Sequence, residues 1–141
     1  MNGYDIQGMW NALKAVQGKK LPVKISFAIA RNITILSPIV RDIDAQQRKI
    51  IERYFVLGDD GKPVIAEDGG VKITNPESLE EEIEELMAEN VRIEFRKVPE
   101  ELFEKCDEEK YDALTPSEIA DLSPMIEEKE AAVEQHIEHK L

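Results

Sequence analysis

The chain has 141 residues, of which 42% are hydrophobic, 34% charged and only 6% aromatic, and its formal charge is −12. That length suits one compact domain with a real core, carried mainly by Ile, Leu and Val, and excludes two typical domains with independent cores. The negative charge disfavours duplex nucleic acid and anionic membranes as partners, and a lone cysteine, Cys106, excludes an internal disulfide or a thiolate metal cluster.

The charge is divided along the chain. Residues 1–53 carry nine Lys/Arg against four Asp/Glu, a balance of +5, whereas 54–141 carry nine against twenty-six, a balance of −17. The two halves are expected to attract each other, within a chain or between subunits, or to address different partners. The opening Met1-Asn2-Gly3-Tyr4-Asp5 does not read as a signal peptide, so a reducing, cytoplasmic setting is expected.

Taken in order, Ile6, Met9, Trp10, Leu13 and Val16 fall at helical spacing, and Gly18 with Lys19-Lys20 supplies a stop. From Val23 to Leu36 the apolar residues occupy nearly every face, which reads as a buried helix. The most apolar stretch, Val23 to Val40, is interrupted by Lys24, Ser26, Arg31, Asn32, Ser37 and Pro38, too often for a membrane span. Ser37-Pro38 either kinks this helix or caps a new one, and Ile39, Val40, Ile43, Ile50 and Ile51 continue the stripe to Phe55. Gly58-Asp59-Asp60-Gly61-Lys62-Pro63 breaks it. Val64-Ile65 and Val71-Lys72-Ile73 then read as a hairpin about Glu67-Asp68-Gly69-Gly70. Asn75-Pro76 opens an acidic helix with Leu79, Ile83, Leu86 and Met87 on its apolar side, Asn75 being expected to cap it. Val91, Ile93 and Phe95 alternate with charges, predicting a strand that joins the hairpin in a small antiparallel sheet. A short helical piece follows Pro99, and Thr115-Pro116-Ser117-Glu118 is a capping box for another. Residues 127–141 form an acidic tail, flexible or a solvated helix, and no internal repeat is read. The expected organisation is a single α+β domain over 1–126 with that tail.

The order of a basic amphipathic start, a long helix over Ile39 to Phe55, the Leu57 to Pro63 turn and the closing stretch Leu114 to Ile126 resembles a group of small phage and prophage proteins grouped only as a domain of unknown function. The resemblance spans roughly residues 4 to 126 as a pattern and contains no catalytic motif. It implies a viral origin, and three kinds of role: virion or assembly accessory, blocker of a host protein, or sequestering agent for a nucleotide signal.

Chemistry has few candidates. His136, Glu138 and His139 could ligate a metal from one helix face, but three residues in a solvated tail do not close a site, so no metal or cofactor is expected. Cys106 lies among carboxylates that raise a thiol pKa and reads as a packing residue. Neither glycine cluster is a phosphate loop. The remaining set is basic: Lys19, Lys20, Lys24, Arg31, Arg41, Arg48, Arg53, Arg92 and Arg96, with Trp10, Tyr54 and Phe55 as aromatic faces. Guanidinium groups pair with phosphates and stack on bases. Arg31, Arg41, Arg48, Arg53 and Tyr54 are therefore the expected ligand-binding residues, Arg31 foremost because it sits in the most apolar stretch. Against this stands simple neutralisation, with Arg48 held by Asp44 and Glu52.

A spine helix apolar on most faces also predicts a helix-mediated homo-oligomer. The expected function is non-catalytic binding, either of a small nucleotide-like anion or of a host protein. A virion or assembly component is the alternative, and an acidic mimic of nucleic acid a third reading.

Overall fold

The structure, a computed structural model, describes residues 1–128, so the expected acidic tail lies outside the described residues from 129 onward. Helix α1 (Gly3–Val16) starts at a capping box, in which Asn2 Oδ1 accepts from the Asp5 N–H at 2.9 Å and Asp5 Oδ2 accepts from the Asn2 N–H at 3.1 Å. Two otherwise unpaired donors are satisfied, and the helix can bury Ile6, Met9, Leu13 and Val16.

Helix α2 (Val23–Arg53) runs for 31 residues without a break at Pro38. Proline leaves the carbonyl four residues back without its helical donor, but Thr34 and Pro38 are both exposed, so water can serve that carbonyl. Ser37-Pro38 therefore does not divide the spine. The first half of α2 buries Ile25, Ala28, Ile29 and Leu36 against α1 and the C-terminal elements. Past Leu36, α2 has no fully buried residue, and the helix that packs there is α3 (Pro76–Ala88). Where α3 meets α1 the backbones approach so closely that a Cβ on Gly3 would lie 2.8 Å from Met87 Sδ. Asn75 departs from the expected side-chain cap: it takes a left-handed conformation, φ 47°, and makes no capping hydrogen bond.

An 18-residue window of α2 has a mean hydropathy of 1.4, enough by length and composition to cross a membrane, and 28% of it is buried by the rest of the fold.

The C-terminal third wraps the first half of α2 with short pieces: β1 (Val98–Pro99), α4 (Glu101–Glu104), a 3-10 turn (Lys105–Asp107), α5 (Pro116–Asp121), a second 3-10 turn (Ser123–Met125) and β2 (Ile126–Glu127). Phe103, Cys106, Leu114, Leu122 and Met125 complete the core begun by α1 and α2. Burial raises the Cys106 thiol pKa, with Asp107 adding to it. The Thr115/Glu118 capping box forms, and it doubles as a clasp. Glu118 Oε1 accepts from the Thr115 N–H at 2.9 Å and from Lys19 Nζ at 2.8 Å, while Lys20 and Asp112 exchange hydrogen bonds of 2.6 and 2.8 Å.

The expected sheet is corrected. Among the described residues the one two-stranded sheet is parallel, with Val98 opposite Ile126. Val91, Ile93 and Phe95 are half-buried between exposed neighbours, yet they form no strand, and the backbone at the two ends of the segment pairs outside any sheet. Val91 exchanges hydrogen bonds with Met1, and the Asn32 side chain takes both backbone groups of Arg96, donating to its carbonyl at 3.0 Å and accepting from its N–H at 2.7 Å.

Between α2 and α3 the chain forms a tip that corrects the reading of no repeat. Segments 55–57, 63–65 and 71–73 pair antiparallel through Leu57 with Pro63, Ile65 with Val71, and Ile73 with Phe55. Their central residues close a ring: Val56 N–H donates to Lys72, Lys72 N–H to Val64, and Val64 N–H to Val56, at 2.9, 2.8 and 2.8 Å. These residues are eight apart, and the two intervening loops match position by position. Gly61 and Gly69 both take positive φ, 76° and 88°, and Asp60 and Asp68 each accept a hydrogen bond from the backbone two residues on. The third corner, closed by Thr74 N–H to Tyr54 O at 2.8 Å, is where α2 enters and α3 leaves. The architecture is thus α+β and mostly helical: a packed helical body, a two-helix stalk and a three-cornered tip.

Candidate functional site

The five expected binding residues lie along or just beyond α2. From Arg31 to Arg53 the helix rises about 33 Å, so one copy cannot converge them on one small ligand. Arg31, the foremost candidate, is exposed: the helical turn that points Arg31 to solvent points its neighbour Asn32 into the core, where Asn32 is 0% exposed. The polar residue that the apolar stretch buries is thus an amide with two backbone partners. Arg41 and Arg48 stand two turns apart on one side of α2, both exposed, and neither has an ion pair among the described residues. Arg53 is committed to Glu82 at 3.3 Å.

Tyr54 sits beside that same carboxylate. Its interaction with Glu82, hydrogen bonding first and burial second, raises the phenol pKa, although Glu82 Oε2 has no partner within strict hydrogen-bond geometry. Arg53, Tyr54 and Glu82 together fasten the tip to the stalk.

A different concavity gathers charge and apolar surface. The first turns of α2 supply Val23, Lys24 and Phe27; the stretch before and through β1 supplies Arg96, Lys97, Val98 and Pro99; α4 supplies Leu102. Together they line a groove of about 360 Å³ that holds three cations and no carboxylate. Val23 is 82% and Phe27 52% exposed, which is unusual for large apolar groups on a helix whose next turn is core. The Arg96 guanidinium lies 5.5 Å from the Phe27 ring centroid, a cation–π stack that holds it over the apolar floor. Asn32 fixes this geometry, because its amide clamps the Arg96 backbone from inside the body. The first turn of α2 carries no acidic residue and no side-chain cap, so the helix dipole adds to the positive potential.

Lys24 and Arg96 belong to the basic set visible in the sequence, but their convergence does not, since 72 positions separate them. The local signal was Val23 and Phe27, one helical turn apart on a face that the core does not use. Lys19, also in that set, spends its ammonium on Glu118, whereas Lys20 meets Asp112 through its backbone. Neither family models, nor curated proteins, nor solved structures give a match to this chain.

Proposed function

We propose that this protein is a non-catalytic binding protein, a phage-encoded accessory, whose groove at the start of α2 takes a nucleotide-like anion. The observation that carries this reading is the groove itself, in which three cations surround an apolar and aromatic floor without a competing carboxylate. An anion with a flat ring answers both halves of that surface: phosphate oxygens pair with Arg96, Lys24 and Lys97, and the ring lies against Phe27 or the Arg96 guanidinium plane. The groove volume falls within the range of small-molecule sites. The viral origin rests on the resemblance of the sequence pattern, and sequestration follows from binding without a nucleophile and base in the groove.

Calorimetric titration with mononucleotides and cyclic dinucleotides tests it. Binding in the micromolar range, reduced at least tenfold by Arg96→Ala with an unchanged circular dichroism spectrum, is expected. No binding, or binding indifferent to Arg96, sinks it. The second reading, an assembly accessory, is favoured by the tip, where Leu57 and Ile65 stand 59% and 61% exposed.

A further inference from the structure

The tip and the groove are complementary surfaces at opposite ends of one helix. At the tip, Leu57 and Ile65 occupy equivalent corners of the three-cornered ribbon and project apolar side chains into solvent, flanked in the adjoining loops by Asp59, Asp60, Glu67 and Asp68. Lys62 and Lys72 offset only half of that charge. The groove presents the reverse: Val23, Phe27 and Leu102 as an apolar floor, with Lys24, Arg96 and Lys97 around it. Within one chain the two cannot meet. Helix α2 starts at the groove and ends at the tip, and its 31 residues hold them about 46 Å apart.

We propose that the tip of one copy docks into the groove of the next, so that the chain assembles head to tail. This rests on the reading of the groove as a receptor for anions with an apolar portion, and it names a macromolecular occupant for it. Two different patches in contact make a heterologous interface, which closes into a ring or propagates as a filament. The tip is built for such a role because its backbone carries its own structure. The hydrogen-bonded ring and the two Asp-closed loops leave Leu57, Ile65, Asp59 and Glu67 without a folding duty, so they are free to make contacts. The same groove cannot hold a nucleotide and a tip together, so a bound anion would cap the assembly.

Sedimentation velocity of the full chain over a range of concentration and salt tests the docking. Two charge-reversed variants are needed: a groove variant, Arg96→Glu with Lys97→Glu, and a tip variant, Asp59→Lys with Glu67→Lys, which spares the turn-closing Asp60 and Asp68. Expected is a wild-type mass that grows with concentration and falls at least twofold between low and high salt, with each variant monomeric. Mixed one to one, the variants should associate again and grow with concentration, because the intact tip fits the intact groove and the reversed tip, now basic, complements the reversed groove, now acidic. A mixture that stays monomeric, or variants that associate as wild type does, overturns the docking. So does a wild type monomeric at every concentration. Titrating the tip variant with the nucleotide set separates this from the proposed function. Arg96-dependent binding without wild-type assembly would overturn the docking alone, and assembly that obeys the mixing rule without nucleotide binding would overturn the small ligand alone.

Discussion

Around the first half of α2 the chain is held by side chains: Ile25, Ala28, Ile29 and Leu36 are sealed under α1 and the C-terminal pieces, and the Asn32 amide holds both backbone groups of Arg96 and donates to Met125 Sδ as well. At the far end of α2 the tip is held by its backbone, through a ring of three hydrogen bonds and three corner bonds, with large apolar side chains left outside. The difference separates two ways of using sequence. Where side chains make the structure, few of them are available for anything else; where the backbone and a few turn residues make it, the remaining side chains can be assigned to a partner.

The largest effect expected from this contrast comes from the same substitution made in both regions. Leu36→Ala removes a fully buried side chain and should cost about 3 kcal/mol, whereas Leu57→Ala should change stability by no more than about 0.5 kcal/mol. Urea unfolding of both variants measures it, and a comparable loss at Leu57 would break the comparison. Next comes Asn32→Ala, which leaves the N–H and carbonyl of Arg96 without partners; about 2 kcal/mol should be lost. Groove binding should weaken along with it, even though Asn32 does not line the groove, because Arg96 loses its anchor.

Gly3→Ala and Gly69→Ala sharpen the comparison at the scale of one methyl group. In the body, the added Cβ collides with Met87, and about 1 to 2 kcal/mol of global stability should go. At the tip, the same Cβ meets nothing but must take φ 88°, a local cost of about 1 kcal/mol. Hydrogen exchange should show it as faster exchange of the Val64 and Lys72 amides with little change in the body. Exchange that accelerates equally everywhere would mean that tip and body unfold as one.

The smallest expected effect concerns acid. Lys19, donating to the Glu118 carboxylate, is the main reason that its pKa is lowered, so the folded state favours the ionised form. Stability from the clasp is complete above the ordinary carboxylate value of 4.5 and is lost as pH falls through the lowered one. Thermal unfolding between pH 6 and pH 3 should show part of this slope, and Glu118→Gln should remove it while leaving the tip unchanged.

Local chemistry had already determined much of this molecule. The stripe Ile6, Met9, Leu13 and Val16, the Thr115/Glu118 capping box, the long helix and the Asp-Gly turns follow from spacing and turn preference, because each is decided by residues within a few positions of one another. The tertiary structure decided the rest. Whether Val91 to Phe95 becomes a strand depends on a distant edge to pair with, and Met1 and Asn32 pair with the backbone at the two ends of that segment outside any sheet. Whether a residue on a helix apolar all round points inward depends on where α1 and the C-terminal pieces settle, and that placement put Asn32 inside and Arg31 in water. The groove exists for the same reason: Lys24 and Arg96 are brought together by an amide buried in the core, a contact that no local pattern encodes. The tip's eight-residue repeat lies in between. Its matching loops are written in adjacent residues, but only the closed ring of backbone hydrogen bonds gives the match a structural meaning.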